Sequence, residues 1–236
     1  MSPPKIPELP RRPNGLVMAK GDLTSDSVRL AAALDALRSD DVLTQNEGVT
    51  VATQLGAAAV PGLLPLLEER GGNPAQVMYA LAQIGDSRAE HAFLAGLKDG
   101  DERVRAYAAQ GLARIGHTGA MVACMQTLND AADEAHLDRT PSVAALGEMG
   151  LEAVPLLLES LMDKDETTRL HSQRALELIL GRRHGFRSGQ GFPSPEAEEK
   201  MRAEWRNNGD YDYGADSQRR GEAVAKWRQW LAETKE

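Results

Sequence analysis

The residue types able to do chemistry in this chain are few, and their spacing is wrong for most of it. Gly185-Phe186-Arg187-Ser188-Gly189 has the glycines and serine of a nucleophilic turn, but the serine falls one place late for Gly-x-Ser-x-Gly and no strand leads into it. Gly189-Gln190-Gly191 lacks the third glycine of a dinucleotide loop, and no Gly-Lys-Ser/Thr sequence is present to cradle phosphate. His91, His117, His136, His171 and His184 stand apart from one another, none at a spacing that builds a metal site on a helix face. His136 is flanked by Asp133, Glu134 and Asp138, yet it brings one imidazole without a second His or Cys, so a solvated acidic loop is expected there. The single cysteine, Cys124, lies on an apolar helical face and reads as a small core residue. These patterns lead us to expect no catalytic residues, no metal, no cofactor and no enzyme activity.

Charge narrows the partners. The chain carries a net charge of -8, and residues 21–181 hold 12 Lys plus Arg against 24 Asp plus Glu. A phosphate backbone would meet a repelling surface, which argues against nucleic acid. The strongest local basic cluster is Arg182-Arg183-His184 with Arg187; it suits the negative end of a helix dipole and is a secondary candidate for an acidic partner. No apolar run reaches the length of a membrane span, and Met1 to Lys20 has no signal-type apolar core, so a cytoplasmic protein away from membranes is expected.

What must position any working surface is a repeat. Ala80-Leu81-Ala82-Gln83-Ile84-Gly85, Gly111-Leu112-Ala113-Arg114-Ile115-Gly116 and Ala145-Leu146-Gly147-Glu148-Met149-Gly150 are copies of one phrase, with looser copies ending at Gly56 and Gly181. A period near thirty residues marks stacked helical hairpins, since one hairpin cannot bury its apolar face alone. With 42% hydrophobic but only 4% aromatic residues, the core must be mostly Ala, Leu, Val and Ile. Alternating strand-type runs are missing, so the fold should be all-α. Each glycine is expected to stop a helix. Asp101 and Asp165 are expected N-caps, each with an Arg four residues on that its carboxylate can reach.

The phrase Asp-x-x-Val-Arg-x-x-Ala-Ala at Asp101 to Ala109, leading to Leu112, Ile115 and Gly116, resembles the HEAT-repeat superfamily, in particular the short bacterial repeats also found in phycobilin lyases. The resemblance covers about residues 48 to 181. It implies a right-handed α-α superhelix of about five helical hairpins with helical caps. It also implies a non-catalytic module that binds another protein, as adaptor, scaffold or inhibitor, and that is a monomer or weak homodimer. Chromophore-lyase and DNA-glycosylase relatives make those activities the alternatives.

In such stacks the second helix of each pair lines the concave side. Positions one, four and five before each glycine should be buried, and those two, six and nine before it more exposed. This selects Gln76, Tyr79 and Gln83 in one repeat and Tyr107, Gln110 and Arg114 in the next, with Arg103, Glu148 and Arg174 extending the row. Tyr and Arg make good interface anchors, although Tyr79 and Tyr107 could equally pack between repeats with only their hydroxyls wet.

The ends differ. Residues 1–22 form a Pro-rich arm, 23–47 an N-terminal capping helix region, 48–181 the repeats and 182–236 an aromatic-rich cap. That cap holds seven of the chain's ten aromatics, and it offers Trp205, Trp227 and Trp230 beside Arg182, Arg183 and Arg187 as the secondary surface.

Overall fold

The computed structural model describes residues 26–69, 72–132 and 139–234. The Pro-rich arm and the acidic segment around His136 lie outside the described residues. The chain is an all-helical repeat solenoid. Five hairpins run in order: α1 (Asp26–Leu37) with α2 (Val42–Leu55), α3 (Val60–Glu68) with α4 (Pro74–Ile84), α5 (Glu90–Gly96) with α6 (Glu102–Arg114), α7 (Ala120–Gln126) with α8 (Pro141–Met149), and α9 (Val154–Ser160) with α10 (Glu166–Arg183). Two tail helices follow, α11 (Pro195–Asn207) and α12 (Ser217–Thr234).

Local chemistry sets where the second helices begin. Asp41, Asp101 and Asp165 cap α2, α6 and α10 by accepting backbone N–H groups from Thr44, Arg103 and Thr168 at 2.8–2.9 Å. The caps of α4 and α8 are Asn73 and Thr140, each followed by a proline whose missing N–H is not needed in a first turn. Of these helices α2, α4 and α8 end on a glycine cap, and α6 ends on Ile115 just before Gly116. Gly85 takes a left-handed φ of 66°, which a side chain would strain, and donates its N–H to Leu81 O at 3.0 Å. Gly56, Gly116 and Gly150 also have positive φ.

Gly181 does not stop a helix. It is buried inside α10, which continues to Arg183, and a Cβ there would lie 3.4 Å from Phe186 and 3.7 Å from Phe192. The chain turns instead at Gly185, φ 85°. The first hairpin likewise differs from a lone capping helix, because α2 crosses the 47/48 boundary and packs along α1.

The second helices stack on one another, α2 on α4, α4 on α6, α6 on α8 and α8 on α10, with the first helices covering the other side. The core is made of Ala52, Ala80, Leu81, Leu112, Leu146 and Leu176 from the inner row, and Leu63, Phe93, Cys124 and Leu157 from the outer row. Glycine inside a helix lets the layers meet: a Cβ on Gly111 would fall 2.3 Å from the Phe93 ring. The Arg expected to reach each Asp cap does something else. Arg105 donates to Asp99 O and Gly100 O at 3.0 and 3.2 Å, and Arg169 to Asp163 O and Lys164 O at 3.0 Å. Both bind the carbonyls of the loop before their own helix, and it is Arg103 that pairs with Asp101 at 2.9 Å.

Candidate functional site: the face of the second helices

The sequence-selected side chains come together on α4 and α6. Tyr79 and Tyr107 meet across the repeat boundary, ring centroids 4.9 Å apart and tilted by 46°. Both are half-buried, so they pack between repeats. Neither hydroxyl is bonded among the described residues, and neither is a sealed polar atom, so both reach the surface. Burial raises the Tyr107 phenol pKa, with Tyr79 adding to the shift. Gln76 donates to Asn46 Oδ1 at 3.4 Å, tying this row to α2.

The rest of the row is less uniform. Arg103 is exposed and held by Asp101, whose carboxyl is pulled below its usual range by the Arg103 hydrogen bond. Gln83 and Gln110 are half-buried, and Gln110 Oε1 is enclosed with no hydrogen-bond donor. Arg114 is exposed, but its stem lies over Gly85, whose Cβ would meet Arg114 Cγ at 2.6 Å. The aliphatic stem of Arg114 thus covers the carboxyl end of α4, which has no basic residue in its last turn. Glu148 pairs with Arg182 at 3.3 Å and Arg174 with Glu177 at 2.5 Å.

The secondary surface separates into parts. Trp227 is fully buried between Trp205 and Trp230, at centroid distances of 5.2 and 5.0 Å, so it cannot anchor a partner. Its helix, α12, packs against α9, and its ring meets Trp205 of α11 edge-on. Arg182 reaches back to α8, whereas Arg183 stacks over Trp230 at 5.3 Å. Arg187 is exposed on the turn, where its backbone pairs with Gly191. The basic run is therefore not one anion site. His184 Nε2 and Trp230 Nε1 both bond Glu204, each at 2.6 Å, which fastens α10, α11 and α12 together.

Two hollows on the same face were not legible in the sequence. One, of about 410 Å³, lies where α8 and α10 meet the turn after α10 and α11; Val143, Leu178, Phe186, Phe192 and Met201 line it, with Arg139 and Arg174 among its polar residues. The other is bounded by Arg103, Tyr107, Arg139 and Pro141, and the two share Arg139 and Thr140. The only advance signal was a pair of phenylalanines flanking a glycine-rich turn.

Residues 90–177, from the start of α5 into α10, match the family model for HEAT repeats. That central part of the chain is similar to HEAT repeats, in line with the helical solenoid. HEAT repeats generally mediate contacts between proteins, which makes a protein partner the coarse expectation for this chain. No curated protein matches the sequence. Among the described residues no three His, Cys, Asp or Glu side chains cluster as metal ligands, and no helix is long and apolar enough to cross a membrane.

Cys124 is buried, its Sγ 3.7 Å from Ala109 O, and burial pushes its thiol pKa up to about 12. A thiol held that far from ionisation is a poor nucleophile at neutral pH.

Proposed function

We propose that this chain is a non-catalytic binding module, which recognises another protein with the preformed face of its second helices. The observation that carries the reading is the Tyr79–Tyr107 pair, a rigid cross-repeat aromatic step with both hydroxyls at the surface and polar side chains on either side. Aromatic rings held this way offer contact area at little entropic loss, while Arg103, Gln83 and the hydroxyls give directional bonds. A partner would meet a surface that needs little rearrangement.

The test is affinity capture with the full chain beside a variant carrying Gln83→Lys and Arg103→Glu. Both positions border the tyrosines without filling the core. A partner retained by the parent chain and lost by the variant, with unchanged melting temperature, is the expected result. A partner held equally by both would place its contact elsewhere.

A further inference from the structure

We propose that the hollow at the junction of α8, α10 and α11 receives a large apolar side chain from an acidic segment of the partner, with a neighbouring carboxylate on Arg139. This deepens the protein-binding reading and rests on it. The hollow, about 410 Å³, falls in the size range of specific ligand pockets. Its floor is apolar, made by Val143, Leu178, Phe186, Phe192 and Met201. Much of that wall lies beyond residue 177, so the matched repeats do not account for it. Small residues keep it open: Gly181 faces both phenylalanines, and Ala144 is exposed at the mouth.

The charge on the rim selects the partner. Arg174 is neutralised by Glu177, whereas Arg139 is exposed and has no carboxylate on it among the described residues. An apolar side chain seated here places its neighbours beside an unmatched guanidinium, which favours Asp or Glu and disfavours Lys. The continuation is also set. Arg139 and Thr140 border the second hollow, so a segment leaving the first runs past Arg139 toward Arg103 and Tyr107.

The experiment uses the full chain and fluorescein-labelled octapeptides with a central Phe or Leu flanked by aspartates. Control peptides carry lysines instead, or Ala in place of the apolar residue. Fluorescence anisotropy should show binding of the acidic apolar peptides at least tenfold tighter than either control. Arg139→Glu should abolish the preference for aspartate, and Ala144→Trp should weaken binding at least tenfold by filling the mouth. Equal binding of Asp and Lys peptides overturns the proposal, and so does no binding of any peptide; neither outcome needs a variant to fold. Binding that survives Ala144→Trp but falls with Gln83→Lys places the segment on α4, overturning the pocket while leaving the protein-binding reading intact. Binding of decanoate in place of every peptide makes the hollow a small-molecule site and also overturns it.

Discussion

The middle of the stack and its carboxyl end solve the same burial problem with different side chains. Between α4 and α8 the inner layer is closed by small residues, with Ala80, Ala82, Ala106, Ala108, Ala109 and Ala145 all buried. Beyond α10 it is closed by Tyr211 and Trp227, with Trp205 and Trp230 packed against them. A central repeat is covered on both sides by copies of itself, so small residues and close helix approach are enough. The last repeat has one neighbour, and an unrepeated seal must cover the other side. Tyr211 shows the seal in one bond: its hydroxyl donates to Leu161 O at 2.5 Å, in the loop after α9, and burial raises its pKa to about 12. The consequence for function is that the repeats supply a regular face, while the irregular end adds an apolar hollow to it.

The carboxyl-terminal seal depends most on Trp227. Truncating a fully buried indole leaves a cavity at the seal, so Trp227→Ala should destabilise by about 3–5 kcal/mol in chemical denaturation. A loss under ~1 kcal/mol would mean that the tail is appended to the stack without sealing it.

Gly111→Ala probes the middle. The added methyl would lie 2.3 Å from the buried Phe93 ring, and overpacking of this kind costs about 1–3 kcal/mol. Alanine's helix propensity returns roughly 1 kcal/mol, so the net loss should be smaller than at Trp227. Phe93→Leu in the same chain should recover part of it. A Gly111→Ala variant more stable than the parent would show that close approach is not what holds α5 on α6.

A smaller effect tests the polar ties between units. Asp86 is held down to about 2, from 3.8, by its hydrogen bonds with Arg88, which also donates to Ala57 O of the preceding hairpin at 2.5 Å. A depressed carboxyl adds stability above its unfolded pKa, and that stability fades as pH falls from about 3.8 toward about 2. Asp86→Asn should therefore flatten the fall of melting temperature across that window. Parallel curves for the two chains would assign the acid sensitivity elsewhere.

The smallest expected effect is at Cys124. Buried and kept protonated, it should resist alkylation by iodoacetamide at pH 8 in the folded chain and react on unfolding. Rapid labelling of the native protein would mean that the middle of the stack opens locally.

Much of the middle was legible because it repeats. Gly56, Gly85, Gly116 and Gly150 all mark turns with positive φ, and Asp101 and Asp165 are the caps their positions implied. The offsets held at four and five residues before Gly85 and Gly150, where Ala80 with Leu81 and Ala145 with Leu146 are buried, but not one residue before, where Ile84, Ile115 and Met149 are only half-buried. What failed lay where local pattern does not decide direction. Gly181 ends the same phrase, but Phe186 and Phe192 close over it and the helix runs on. Trp227 and Trp230 stand three apart on one helix, and tertiary packing, not spacing, decides that Trp227 is the one sealed. Arg105 and Arg169 fold back to loop carbonyls because the chain reverses there, a proximity that sequence spacing does not report. The hollow beside Arg139 draws on α8, α10, a turn and α11, four segments with no shared motif.

Position-specific photo-crosslinking can show whether a partner binds the face of the second helices. Photoreactive residues at Gln83 and Arg103 on that face, and at exposed Leu94 and Val122 on the first helices, sample the two sides of one stack. One partner should be captured from Gln83 and Arg103 and not from Leu94 or Val122. Capture of that partner from Leu94 and Val122 alone would contradict binding on that face.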